Sequence, residues 1–360
     1  MKNKSAIFSK VPSSAIFFIL VAVFFIKVII YFLVKGNFIN IGLGGGSDAN
    51  YYHAYAIGTI NIELNIWPVM LRYINSLGFY SREIISYFLF FLNIAIIPIL
   101  TVTLTGLTLR NHQKYYLSIF LIAFIYPTLF YFTFDIYRDV FMVFSFLLGC
   151  LVVKKSLCNS SSLFFVLYLG IAIAIGVFLL KLRPYLGYAF LLSLLLWKIR
   201  FSKKRILFLG IVYFLVLFAA NYIGLLNELT EYRSGFEESE GGSTLGLNFS
   251  NPIMFIPNFI LSFLGQMLGL YVTNPFSILL LFVETLPFFF MLVFIIKNIK
   301  LADNFIRFLI IFFVLYASVW LIGNDNLGTA VRLRMYNYLV VYISFFYILR
   351  LKHNNRNNMS

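Results

Sequence analysis

A chain of 360 residues that is 61% hydrophobic and only 11% charged, with 44 phenylalanines, contains no stretch polar and long enough to form a soluble globular domain. Its formal charge of +15 is therefore read as membrane topology and contact with anionic lipid, not as nucleic-acid binding. The two cysteines, Cys150 and Cys158, fall near a predicted cytoplasmic face and imply no disulfide framework.

Taken in order, Lys2, Lys4 and Lys10 precede an apolar run over 14–34 that is too long for the core of a signal peptide. It is read as a first span that also starts insertion. Apolar runs between polar breaks predict ten spans: 14–34, 84–108, 115–134, 138–153, 162–180, 184–199, 206–225, 276–297, 304–322 and 335–350. Basic residues at Arg110, Lys114, Lys154, Lys155, Lys198, Arg200, Lys203, Lys204, Arg205, Lys297, Lys300, Arg307, Arg350, Lys352 and Arg356 then mark the inner turns. The expectation is an all-α polytopic membrane domain over 1–360 with about ten transmembrane helices and both termini cytoplasmic. Two segments, 35–83 and 226–275, are extracytoplasmic, the second carrying an interfacial helix.

The first outer segment opens with Gly42, Gly44, Gly45, Gly46, Ser47 and Asp48. A flexible glycine run lets Asp48 approach a ligand closely, and the alternative is that Asp48 caps a helix. Tyr51, Tyr52, Tyr55 and Trp67 either stack on sugars or form an interfacial aromatic belt. His53 is the one histidine placed outside, so no metal site is expected. Arg72 is grouped with the substrate-binding residues, whereas Lys27, Lys35, Arg82 and Arg233 are expected to pair with outer acids or to snorkel.

The densest charges in apolar surroundings are Asp135/Arg138/Asp139, Lys181/Arg183 and Arg332/Arg334. Residues 115–153 and 162–199 number 39 and 38. A span needs about 20 apolar residues, so each window holds two helices with its charges at the hairpin tip. Charge kept in so costly a place marks function. By the predicted orientation Arg138, Arg183 (with Pro184) and Arg332 open the fourth, sixth and tenth spans at the outer face. A helix start favours an anion, and an arginine fork grips phosphate with two hydrogen bonds. Convergence of these three ends would bind a pyrophosphate, while the alternative is that Asp135 and Asp139 merely neutralise Arg138.

The second outer segment carries Glu228, Glu231, Glu237, Glu238, Glu240 and Gly241–Thr244, then turns apolar between Asn251–Pro252 and Asn274–Pro275. It is read as a mobile loop followed by a membrane-lying helix, serving as a lid or as an ordinary solvated loop. Glu284, a carboxylate in mid-span, is expected to face the interior and pair with an arginine, with catalysis as the alternative. Asp325 and Arg334 complete the expected substrate-binding set. No nucleotide or metal signature occurs on the cytoplasmic side, so ATP-driven transport is unsupported and no cofactor is expected.

The ten-span layout, Ser47–Asp48–Ala49–Asn50–Tyr51–Tyr52, Tyr137–Arg138–Asp139, Arg183–Pro184–Tyr185 and Gly328–Thr329–Ala330–Val331–Arg332–Leu333–Arg334 together resemble the Wzy-type O-antigen and capsule repeat-unit polymerases. A wider likeness is to EpsG-like polymerases and the GT-C membrane glycosyltransferases. The resemblance implies a metal-independent glycosyl transfer at the outer leaflet of a bacterial inner membrane. A glycan on undecaprenyl pyrophosphate would move onto a new lipid-linked repeat unit, a step of lipopolysaccharide or capsule biosynthesis. It also implies membrane lipids and a chain-length regulator as partners. Asp48 is then the candidate base, with His53 as runner-up, and Arg138, Arg183, Arg332 and Arg334 stabilise the departing pyrophosphate. The alternatives are a GT-C enzyme using a lipid-phosphate sugar donor and a flippase of lipid-linked glycans. An O-antigen ligase or a membrane acyltransferase is more remote.

Overall fold

A computed structural model describes residues 11–39, 42–158, 161–238, 243–272 and 274–357. Lys2, Lys4, Lys10, Glu240, Gly241 and Gly242 lie outside the described residues, as do the side chains of Lys203, Glu237, Glu238 and Arg356. Regular structure among the described residues is helical, with a single isolated bridge between Thr244 and Asn326. Among the described residues, seven helices are long and apolar enough to cross a membrane. The chain is thus an all-α, multi-pass membrane protein. It folds as two compact units, Met1–Arg183 and Pro184–Ser360.

In the first unit, α1 (Ser13–Lys35) is followed by a short pair, α2 (Ser47–Ala56) and α3 (Ile66–Ser76), packed on each other. Helix α4 (Arg82–Phe91) continues through a π-helical turn, Leu92–Ile96, into α5 (Ile97–Thr105). That rod stops at Gly106, whose φ of 67° gives the left-handed cap that glycine adopts without strain. Helices α6 (Leu109–Ile125) and α7 (Pro127–Tyr131) come next, then α8 (Arg138–Cys158) and α9 (Ser162–Leu182). The last two form an antiparallel hairpin. Ser156 donates to the Phe165 carbonyl at one end, and Arg138 to the Leu182 carbonyl at the other. Lys154 donates to the Thr103 and Leu104 carbonyls, closing the C-terminus of α5 with a cation as the helix dipole favours.

The expected span 115–134 is not continuous, because Pro127 cannot donate to the preceding turn and Tyr126 leaves helical geometry. A buried lysine stabilises this break. Lys27 of α1 donates to the Phe124 carbonyl and to Asn93 at 3.3 Å, with the Phe124 and Phe130 rings near its ammonium. Asn93 lies on the π-helical turn. Lys27→Ala empties a packed site and strips these acceptors of their donor. Truncations of buried side chains cost about 2–5 kcal/mol, so the melting temperature in detergent should fall clearly below wild type.

The second unit begins with α10 (Pro184–Leu196), α11 (Lys203–Tyr222) and α12 (Asn227–Glu238). A 3-10 turn at Pro252–Met254 leads into α13 (Phe255–Ser262) and a π-helical turn at Phe263–Met267. Helices α14 (Pro275–Leu280) and α15 (Leu286–Lys297) are joined by a second π-helical turn, Leu281–Thr285. The unit closes with α16 (Asn304–Gly323) and α17 (Leu327–Asn357). Helix α16 is the hub, packing on α10, α12, α13 and α17.

Two more expected spans change form here. Residues 184–199 supply only the 13-residue α10, and 335–350 lie inside α17, which has 31 residues. Helix α17 starts earlier than read because the Asn326 side chain accepts from the Thr329 N–H and caps it. Arg332 therefore sits in its second turn and does not open it. Acidic residues 227–238, read as part of a mobile loop, form α12, which packs on α16. Its Glu, Leu and Tyr residues sustain a helix, and its one inward cation fixes it. Arg233 is 2% exposed and donates to the carbonyls of Leu247, Leu321, Ile322 and Asn324 while pairing with Asp325.

Candidate functional site

One end of the first unit gathers the start of α2, the 132–137 loop, the start of α8 and the end of α9. The glycine run is pinned, in contrast to the flexible segment read from the sequence. Gly45 donates its N–H to Asp135 at 2.8 Å and Gly46 donates to the Tyr137 hydroxyl at 3.1 Å. A Cβ at Gly46 would stand 2.5 Å from that hydroxyl, so only glycine permits this approach. Trp67 of α3 donates to the Ile136 carbonyl at 2.9 Å, docking the α2–α3 pair against the same loop.

Asp135 does not restrain Arg138, as the sequence spacing suggested. It is held by Arg82, whose Nε and Nη2 donate to its two oxygens at 2.8 and 2.6 Å. Arg82 also donates to Asn50, and Asn50 donates to the Gly45 carbonyl. Burial works against the Asp135 charge, but Arg82 and the N–H groups of Gly45 and Ile136 outweigh it and hold its carboxyl below the ordinary value. A depressed carboxyl contributes stability above its unfolded pKa, and that stability disappears as pH falls through the folded value. Asp135→Asn should cost about 1.5–3 kcal/mol at neutral pH, the worth of hydrogen bonds to a charged group. Wild type and variant should converge in melting temperature on acidification below about pH 4.

This latch sets Asp48 in the first turn of α2, whose cap is Gly46 and not Asp48 itself. Tyr52 follows one turn later on the same face and is 4% exposed. Burial pushes its phenol up to about 12, and the charges acting on it next are Arg138, Asp139, Asp48 and Arg183. The two catalytic arginine candidates of this unit and the candidate base thus bear on one buried tyrosine. Arg138 is half-buried and is the first residue of α8. Arg183 caps α9 ahead of Pro184, is 5% exposed, and lies 3.8 Å from Asp139, which is 2% exposed. Arg138 and Asp139 open α8, where the helix start carries a partial positive charge, and Arg183 stands beside Asp139.

Three more of the expected site residues belong to the first unit, and the rest to the second. Lys181 is exposed in the last turn of α9. His53 shares a 2.9 Å hydrogen bond with the Tyr80 hydroxyl. Arg72 stacks on Tyr55 and donates to Asn61 and the Ile60 carbonyl, closing a loop. In the second unit, Asp325 is fully buried, accepting from Arg233 and from the Gly246 N–H. Glu284, on the π-helical turn, pairs with Arg334 at 3.3 Å, with the arginine 5.2 Å from the centre of the Tyr338 ring. Arg332 is half-buried on α17.

The expectation that Arg82 pairs with an outer acid is met by Asp135, whereas sequence reasoning gave Asn50, Arg82 and Tyr137 no part in supporting the site. Tyr137 carried a signal, since it adjoins Arg138–Asp139 in a polar break between apolar runs. Among the expected aromatic platform residues, Tyr52, Tyr55 and Trp67 are buried and not displayed. Comparison with protein-family models, curated proteins and solved structures returns no match for this chain.

Proposed function

We propose that the chain is a membrane glycosyltransferase that polymerises undecaprenyl-pyrophosphate-linked repeat units at the outer face of the bacterial inner membrane. The observation that carries this reading is the meeting of Arg138, Asp139 and Arg183 at one end of the first unit, where Arg138 donates to the Leu182 carbonyl at 2.9 Å and Arg183 lies 3.8 Å from Asp139. The proposed transfer breaks the anomeric C–O bond to pyrophosphate and forms a glycosidic bond to an acceptor hydroxyl. The electron pair of the broken bond stays on the pyrophosphate, and the hydroxyl proton goes to Asp48. Arg138 and Arg183 meet the charge that develops on the leaving group. The donor carries its own energy, so no nucleotide is needed. Both termini lie in the cytoplasm in this reading, which fits the basic inner turns.

The test is transfer by the purified protein in liposomes supplied with undecaprenyl-pyrophosphate-linked repeat units. Longer glycans and released undecaprenyl pyrophosphate are expected. Release of undecaprenyl phosphate from a monophosphate donor would instead favour the GT-C alternative, and no product from either donor would overturn glycosyl transfer. Arg138→Lys keeps the charge but loses the planar fork. Its rate should fall by about 10²–10³, the usual worth of one group stabilising a developing anion. In cells lacking the native gene, the same variant and Arg332→Lys should shorten the glycan ladder at normal membrane levels.

A further inference from the structure

We propose that the α2–α3 hairpin is seated in the headgroup layer of the bilayer, where a fixed apolar surface contacts lipid and sets the depth of the Asp48–Tyr52 site. The hairpin joins two apolar helices, ending at Lys35 and starting at Arg82, that are each long enough to cross a membrane. Between them eight large side chains stand exposed among the described residues, the most exposed being Phe38, Phe79 and Ile62 at 79%, 74% and 72%, with Leu64, Tyr73 and Leu77 beside them. Such a surface on a soluble loop would be a liability. Tyr73 and Leu77, four residues apart, share a face of the α3 region, while Trp67 and Leu71 fill its buried face.

The apolar side chains are presented by a tied loop. Tyr51 donates to the Ile62 carbonyl at 2.6 Å and accepts from the Leu64 N–H at 3.1 Å. Arg72 holds the Ile60 carbonyl and Asn61, and Asn75 donates to the Ala56 carbonyl at 3.1 Å. Backbone polar groups satisfied internally are what a layer poor in water demands. From Ala49 to Ser81 the formal charges are only Glu63 and Arg72, and the Arg72 guanidinium is engaged with Tyr55 and Asn61. The patch is also continuous along the chain with the exposed apolar residues of the flanking spans, Phe32 before it and Ile84 and Phe88 after it. Lipid already covers those, so lipid is the occupant the hairpin fits.

The depth follows from this surface alone. Its use rests on the function proposed above: it would hold Asp48 at the level of the phosphates of a lipid-linked glycan. The test is nitroxide labelling of Ile62→Cys, Tyr73→Cys and Phe79→Cys in the full chain in liposomes. Exposed Cys158 is replaced by Ser and buried Cys150 is kept. Ile173→Cys, on the exposed surface of α9, is the lipid reference. Collisions with oxygen should exceed those with a water-soluble nickel chelate at all three hairpin sites, in the direction of the reference. Nickel-dominated collisions would overturn the proposal. So would exclusion of both reagents with spin–spin broadening, which would mean that a second copy covers the patch. A variant that fails to fold leaves two others, and quenching by brominated lipid of Phe79→Trp over the native tryptophans gives a second reading. None of these measurements uses glycosyl transfer, so they fail or succeed separately from the proposed activity.

Discussion

Asp48→Asn should abolish long-chain glycan while single capped repeat units persist in cells that carry it as their sole copy. Asparagine preserves size and the neighbourhood of the α2 start but cannot take a proton. A positioned general base contributes about 10²–10⁴ in rate, which turns a ladder into its lowest rungs. The fold should survive, because the helix cap at Gly46 and the latch through Arg82, Asp135 and Gly45 do not use the Asp48 carboxylate. Membrane levels and melting temperature are therefore the controls, and both should match wild type. The pH profile separates a base from a positioning group: removing the base flattens the acid limb, whereas a misplaced substrate would change KM and leave the limb in place. A full ladder from Asp48→Asn would make Asp48 structural. His53 would then be the next residue to replace, although its hydrogen bond with Tyr80 restricts its ring.

The parts of this fold legible in the sequence are those set by local composition. Runs such as 14–34 and 304–322 match the length of about 20 residues that a bilayer requires, and they appear as α1 and α16. Glu284 was legible as a residue needing a cation, because an isolated mid-span carboxylate is too costly. That its partner is Arg334, 50 residues away, was not, since ion pairing across elements leaves no periodic trace. The same holds for Arg82 and Asp135. Spacing pointed to Arg138 as the partner of Asp135, and a latch across 53 residues took the carboxylate instead. Helix α12 was hidden for a different reason. Its apolar content is low, and its stability comes from one buried arginine that hydropathy counts as polar. The break at Tyr126–Pro127 was present in the sequence as a proline, but an apolar count alone passes over it. Asp48, Arg138 and Arg183 stood out as charges at helix starts and tips. The meeting of the two arginines depends on the Arg138 contact with the Leu182 carbonyl, 44 residues away, which no spacing rule reports.

Asp325→Ala should be among the most destabilising single changes in the second unit. It leaves Arg233 buried without its counter-charge, and breaking a buried pair by removing one partner costs about 3–5 kcal/mol. The Gly246 N–H loses its acceptor as well. Arg233→Ala should cost a similar amount for the opposite reason. It strands the carboxylate together with the carbonyls of Leu247, Leu321, Ile322 and Asn324. If these groups act as one unit, the double variant should be clearly less unstable than the sum of the singles, by about 0.5–3 kcal/mol of coupling. Strict additivity in thermal unfolding would mean that Arg233 is held by the carbonyls alone. A local readout distinguishes this from general damage. Helix α12 carries Arg233 and packs on α16, so either single variant should expose Asn227–Glu238 to protease before the spans unfold. Rapid cleavage there already in the wild type, unchanged in both variants, would instead support the mobile loop read from the sequence.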